Sequence, residues 1–223
     1  MKNDKVVIPV GEDNEVSGVL SIPDGDVKKG VILAHGAGND MNQPMFVFIA
    51  EGLAQAGYLT LRFNFLYKEQ GKKAPDSPEK LYQAWDGAYR FLSEHPVYRP
   101  KHIAAAGKSM GGRIASQMVA DGRLPVEQLI FLGYPLHAPG KKDKLRDQHL
   151  YGIKIPMRFF AGTRDKLCDL ELLRGVLSRL ATPWDLEVIK GGDHSFNVPR
   201  SIGTGLQEIY GRILNKALGW LGE

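Results

Sequence analysis

Short apolar runs, several rich in β-branched residues, alternate along this chain with longer stretches in which apolar residues recur every three to four positions. The first pattern is that of buried strands and the second that of amphipathic helices, and their regular alternation predicts βαβ units around a mostly parallel sheet. The fold class is therefore α/β. The start differs: "KVVIPV" and "VSGVLSIP" are separated only by the polar "GEDNE", which predicts an antiparallel hairpin. Then come strand "GVILAH", helix "PMFVFIAEGLAQAG" closed by Gly57, and strand "YLTLRFNF". The polar "YKEQGKKAPD" reads as a loop, and "SPEKLYQAWDGAYRFLSE" as a helix with Ser77 as N-cap and Pro78 in its first turn. Strand "HIAAAG", helix "MGGRIASQMVAD", strand "QLIFLGY", strand "IPMRFFAG", helix "LCDLELLRGVLSRL", strand "DLEVIK" and a last helix near "IGTGLQEIYGRILNKALGWLGE" complete the order.

With 223 residues, 43% of them hydrophobic and 24% charged, the chain is long enough to bury one sizeable core, and a single domain over 1–223 is expected. The net charge of +4 comes from 29 basic and 25 acidic residues that are scattered apart from short clusters such as "KKDKLR". A nucleic-acid binder would concentrate its basic side chains on one face, so that class is disfavoured. Cys168 is alone and excludes an intramolecular disulfide. The N-terminus has no apolar core of signal-peptide length and no segment resembles a membrane span, so a cytosolic protein without membrane partner is expected. Nothing in the composition fixes the oligomeric state.

The stretch "AAAGKSMGGR" carries two incompatible motifs. Gly107, Lys108 and Ser109 end a phosphate-binding loop, but the first glycine of that loop is replaced by His102 and the intervening "HIAAA" reads as strand, so the lysine lacks its backbone cradle. A dinucleotide fingerprint at "HGAGNDM" also fails, with Met41 at its third glycine and Arg62 and Asn64 where a ribose-binding carboxylate belongs. The alternative is G-x-S-x-G, formed by Gly107, Ser109 and Gly111, in which a strand-to-helix turn presents a nucleophilic serine. Its place after a strand and before a helix favours that motif over a serine that merely caps the helix. Lys108 is then expected as an exposed side chain beside the turn.

A serine needs a base, and the base needs an orienting carboxylate. Asp165 follows strand "IPMRFFAG" and His194 follows strand "DLEVIK", so nucleophile, acid and base occur in the order Ser109, Asp165, His194. Asp169 is the competing acid, expected a turn into the next helix; Asp193 adjoins His194 and is expected to cap its own turn. The N–H of Met110 supplies one oxyanion donor and that of Ala37 or Gly38 in "HGAG" the other.

Through "HGAG", "GKSMGG", "GTRD" and "GDHSF" in this order the chain resembles the α/β-hydrolase superfamily over essentially its whole length, and its small size resembles the dienelactone-hydrolase-like branch. The combination of "LAHGAG", "LRFNF", "GKSMGGRIAS", "GYPLHAPG" and "GTRD" resembles a group containing a testis-expressed hydrolase-like protein and the hydrolase-like domain of a subunit of a nuclear histone-acetyltransferase complex. The resemblance implies an eight-stranded sheet and a Ser, Asp, His triad. Dienelactone hydrolases use cysteine where this chain has serine, so the resemblance does not by itself imply their substrates. The excursion "PLHAPGKKDKLRDQHLYG" is too short for a lid domain. The mouth is expected to be lined by Asn64, Phe65, Tyr67, Tyr134, His137 and Phe196, although these aromatics suit a core equally well. The expectation is a serine hydrolase acting on a small acyl ester or thioester without metal or cofactor, with acyl transfer, peptide cleavage or a non-catalytic interaction module as alternatives on the same fold.

Overall fold

The computed structural model describes residues 1–27 and 29–222. Strands β1 (Lys2–Val10) and β2 (Asn14–Ile22) form the antiparallel hairpin. They are followed by β3 (Gly30–Ala34), helix α1 (Pro44–Gln55), β4 (Leu59–Phe63), the single turn α2 (Leu66–Glu69), α3 (Pro78–Ser93), β5 (Ile103–Lys108) and α4 (Met110–Ala120). The rest comprises β6 (Gln128–Leu132), β7 (Met157–Gly162), α5 (Leu170–Leu177), β8 (Trp184–Ile189) and α6 (Leu206–Leu221). All eight strands lie in one sheet of order β1-β2-β4-β3-β5-β6-β7-β8. From β4 to β8 every pairing is parallel, while β2 joins β4 antiparallel.

Alternate side chains of each central strand enter opposite cores, as the two-residue period of a strand requires. Ile32, Ala34, Ala105 and Phe131 pack with α3, α4 and α5, whereas Val31, Leu33, Ala104, Ala106 and Ile130 pack with α1 and α6. Both faces of the parallel region are thereby covered, which explains why its strands are continuous apolar runs. The chain leaves β3 for β4 on one side and later returns through β5 on the other, and a crevice opens at the carboxyl ends of strands where such a reversal occurs.

Two boundaries and one cap differ from the expected ones. Ser77 stands at the N-cap of α3 as expected, with Pro78 in the first turn, but its side chain makes no capping bond. The first residues of the expected loop after β4 form α2. Helix α5 begins later than its apolar pattern implies, because Asp169 is not inside it but caps it, accepting from the N–H groups of Glu171 and Leu172. Between β6 and β7 there is no inserted domain: the excursion contains one 3₁₀ turn, Gln148–Gly152, and is tied down by Tyr134 Oη donating to the Arg146 carbonyl (2.6 Å) and Arg146 N–H donating to Leu136 O (2.7 Å). Among the described residues no helix is long and apolar enough to cross a membrane.

Candidate active site

Ser109 joins the end of β5 to the start of α4 at φ 50°, ψ −114°. A non-glycine residue at positive φ costs about 1–3 kcal/mol and persists only where its surroundings enforce it. Here they do so by close backbone packing. A Cβ on Gly107 would sit 2.1 Å from Gly112 N, and one on Gly111 would sit 2.3 Å from Ala34 O, so both positions require glycine for α4 to press against β5 and β3. The two glycines of the motif are thus explained by contact distance, and the serine between them is pushed outward. Residues 103–108 are strand throughout, so the phosphate-loop motif has no loop in which to form a cradle.

Two other strand ends meet this turn. His194 Nε2 lies 2.8 Å from Ser109 Oγ, and His194 Nδ1 lies 2.8 Å from Asp165 Oδ2. The Asp165 side chain is fully buried, and its second oxygen accepts the N–H of Leu167 at 2.8 Å, which holds the carboxylate edge towards the imidazole. An Asp165 acceptor at Nδ1 places the remaining proton there and leaves Nε2 to take the serine proton. Asp169 faces away from this line. Its Oδ1 caps α5 and its Oδ2 meets Lys142 Nζ at 2.5 Å, the ion pair that mainly holds its carboxyl below the usual range. Asp193 accepts from the N–H groups of Ser195 (2.8 Å) and Asn197 (2.9 Å) and so shapes the loop that carries His194.

Opposite the imidazole, the loop after β3 runs against the serine: a Cβ on Gly36 would be 3.3 Å from Ser109 Cβ. His35, buried beneath this loop, pins it. Its Nδ1–H donates to the Gly36 carbonyl (2.9 Å) and its Nε2 accepts the N–H of Phe65 (3.1 Å). Both ring nitrogens are therefore committed in the neutral form, and burial pushes the imidazole down to about 4. In a trans peptide the Ala37 N–H is antiparallel to the Gly36 carbonyl, so the bond that fixes one fixes the other. Met110 supplies its N–H at the first position of α4, where a helix leaves its donors unsatisfied. Gly38 follows at φ 78°, and the Tyr67 hydroxyl near this loop is buried without a hydrogen-bond partner, which pushes the phenol up. In the sequence His35, like His102 and His137, fits the place of the base less well than His194, and its position immediately before "GAG" is the signal for its role in the loop.

The expected mouth residues need correction. Phe65, Tyr67 and Phe196 are completely buried and Tyr134 and His137 nearly so, so these five do not face an open mouth. Phe65 and Tyr67 stack with each other and pack edge-on against His35, forming a pillar under the β3 loop. Phe196, at φ 64°, turns its ring into the core beneath the His194 loop. His137 braces the acid loop, its Nε2 accepting from Asp169 N–H (3.1 Å) and its N–H donating to Leu167 O (3.0 Å). Asn64 is half-buried with its amide committed to Met41 N–H (2.9 Å) and Glu69 Oε1 (2.9 Å). Large apolar rings at strand ends gain more from the core than from solvent, and that term decided their placement. Lys108 is corrected as well: it is buried, at 2% exposure, rather than exposed.

Comparison with known proteins places this geometry in a family. Residues 27–222 match the family described as "Alpha/beta hydrolase domain". The fold is shared with a dienelactone hydrolase from Anabaena variabilis (TM-score 0.76, 24% identity, 98% of this chain and 96% of that one). It is also shared with a lidless α/β serine hydrolase from Xanthomonas campestris (TM-score 0.73, 17% identity, 98% and 95%). A Mycobacterium tuberculosis protein named as a candidate phosphoribosyl transferase is 26% identical over 190 residues, covering 84% of this chain but 41% of its own length, so the chain spans well under half of that relative. The chain belongs to the α/β-hydrolase domain family, and its solved neighbours include esterases and lidless serine hydrolases.

Proposed function

We propose that this protein is a serine hydrolase that cleaves a small carboxylic ester or thioester through an acyl-enzyme. One observation carries the reading: two successive 2.8 Å contacts run from the buried Asp165 through His194 to Ser109, at the strained turn between β5 and α4. In the proposed reaction Ser109 Oγ attacks the acyl carbon while its proton passes to His194 Nε2. The oxyanion that forms takes hydrogen bonds from the N–H groups of Met110 and Ala37, with Gly38 as the neighbouring donor. The leaving alcohol or thiol collects the proton from His194, and a water activated by the same nitrogen releases the acid. Asp165 keeps the imidazole in the required tautomer and stabilises its cation. The same machinery serves acyl transfer when another nucleophile replaces water.

The phosphoribosyl transfer named for the mycobacterial relative is not carried over, since the Gly107–Lys108–Ser109 stretch offers no phosphate cradle and the matched region is a minor part of that protein. The resemblance to a chromatin-complex subunit raises an interaction module as the alternative. An idle site, however, would have no reason to keep a strained serine in register with a histidine and a buried carboxylate.

Two consequences are measurable. The short excursion after β6 leaves the mouth uncovered, so kcat/KM for chromogenic esters should be highest for short acyl chains. A steady rise beyond about eight carbons, or activity confined to a lipid interface, would reveal an acyl tunnel or a moving cover and defeat this expectation. His35→Ala should release the Gly36–Ala37 peptide and lower kcat by about 10²-fold with KM nearly unchanged, the size of effect seen when an oxyanion donor is lost. An unaltered kcat would place the second donor elsewhere.

A further inference from the structure

Among the described residues, Lys108 combines deep burial, a formal charge and an amine without a hydrogen-bond partner. By the alternation of β5 it shares the face of Ala104 and Ala106, and so points beneath the loops that carry His35 and His194 rather than towards α4. Its stem lies under the β3 loop, where a Cβ on Gly36 would be 3.4 Å from Lys108 Cγ. Its ammonium lies against Gly133: a Cβ there would be 3.1 Å from Lys108 Nζ, 3.1 Å from the His194 carbonyl oxygen and 3.5 Å from His194 Nδ1. Nζ is also 6.0 Å from the centre of the Phe196 ring. The segments packed around the side chain bring Asp165, Asp193 and His194 near the amine and, on the loop over its stem, His35, whose burial keeps the imidazole neutral, whereas Gly133 and Phe196 bring no titratable group. Burial strips hydration from this ammonium and no hydrogen bond replaces it, so the attraction of nearby carboxylates is what offsets the cost.

We propose that Lys108 is a positioning residue for the triad: its ammonium is the counter-charge shared by Asp165 and Asp193, and it holds the His194 loop at the distance from which the imidazole can take the Ser109 proton. The inference rests on the serine-hydrolase reading and assigns a further member to that site. Burial is the main influence on the amine and pulls it down to about 8, with Asp165 and Asp193 acting in the opposite sense. Its charge is therefore present at neutral pH and lost as pH rises through that value. Asp165 and Asp193 then lose the positive charge that attracts both, and the His194 loop is released. The active form is the charged form.

The test is the rate at which an alkyl fluorophosphonate labels Ser109 between pH 6 and 10, in the wild type and in Lys108→Met, with thermal unfolding recorded alongside. Wild-type labelling should fall at least tenfold, reversibly, above about pH 8. Lys108→Met should label at least tenfold more slowly than wild type at pH 7 and show no alkaline fall. It should also unfold at about the wild-type temperature, since the desolvation it relieves offsets the attraction to Asp165 and Asp193 that it removes. A structural lysine would show the opposite, lower stability with an unmoved pH profile. Labelling of Lys108→Met at the wild-type rate, or a slow variant that retains the alkaline fall, overturns the proposal. If the variant does not fold, the wild type decides, and a rate that stays level or rises to pH 10 overturns it. A folded wild type that remains unlabelled at every pH defeats the serine-hydrolase reading itself, and the role of Lys108 with it.

Discussion

An alkyl fluorophosphonate should modify this protein at one residue, Ser109, and the adduct should appear in the digest peptide containing "SMGGR". In that reaction the Ser109 oxygen bonds to phosphorus, the P–F bond breaks and fluoride leaves, while the serine proton passes to His194. Two features of the site make it fast. The imidazole nitrogen stands 2.8 Å from Oγ, and the phosphoryl oxygen can occupy the space served by the Met110 and Ala37 N–H groups. Other serines lack one or both. Ser116, for example, sits 2.8 Å from His149 Nε2, but its hydroxyl donates to the Arg113 carbonyl (2.8 Å) and the residue is completely buried. The Tyr134 hydroxyl likewise donates to Arg146 O, so His149 is left as the donor to both oxygens and cannot act as their base. Ser109→Ala should abolish labelling and lower ester hydrolysis by about 10⁴–10⁶-fold, and His194→Ala should approach that loss, because members of such a triad act as a unit. Both variants should keep the wild-type circular dichroism, since neither side chain fills the core. Labelling elsewhere with Ser109 unmodified would leave the fold as a scaffold and end the catalytic reading.

The parts of the site visible in the sequence are those where one physical requirement dominates. Gly107 and Gly111 are spelled out because backbone contacts of 2.1–2.3 Å to a virtual Cβ leave no alternative residue. Asp165 and His194 are visible because parallel strands deliver their carboxyl ends to one edge of the sheet, so position after a strand is position near Ser109. Where two requirements compete, the motif alone misleads. The lysine of "GKS" looks like surface because lysine usually is. Yet β5 extends through residue 108, and counting by twos from Ala104 and Ala106 puts it on a buried face. Phe65, Tyr67 and Phe196 follow strand ends as substrate-contacting residues do, but burial of their rings under the loops outweighed exposure at the mouth. Leu167 and Cys168 continue the apolar pattern of α5 backwards, whereas the N-cap bonds of Asp169 set where that helix begins.

Asp165→Asn should reduce kcat about 10⁴-fold, whereas Asp169→Asn should leave it within about tenfold of wild type, since only the first removes the carboxylate that selects the imidazole tautomer. The two residues lie one helical turn apart in sequence and on the same loop, so the contrast isolates orientation from mere proximity of negative charge. At Asp165 the substitution replaces an oxygen acceptor by an amide, and an amide that donates to Nδ1 forces the proton onto Nε2, where it blocks the Ser109 contact of 2.8 Å. The buried carboxylate also disappears as counter-charge for the imidazolium, so neither the tautomer nor the cation is supported. At Asp169 the asparagine still accepts from Glu171 and Leu172 N–H, and α5 keeps its cap. What it loses is the pair with Lys142, whose amine is largely exposed, and such pairs contribute about 0–1 kcal/mol. Steady-state kinetics on a short chromogenic ester, with thermal unfolding of both variants, reads the two effects separately. Collapse of Asp169→Asn together with near-normal turnover of Asp165→Asn would move the acid four residues along the chain, and the 2.8 Å contact between His194 and Asp165 would then have no part in the chemistry.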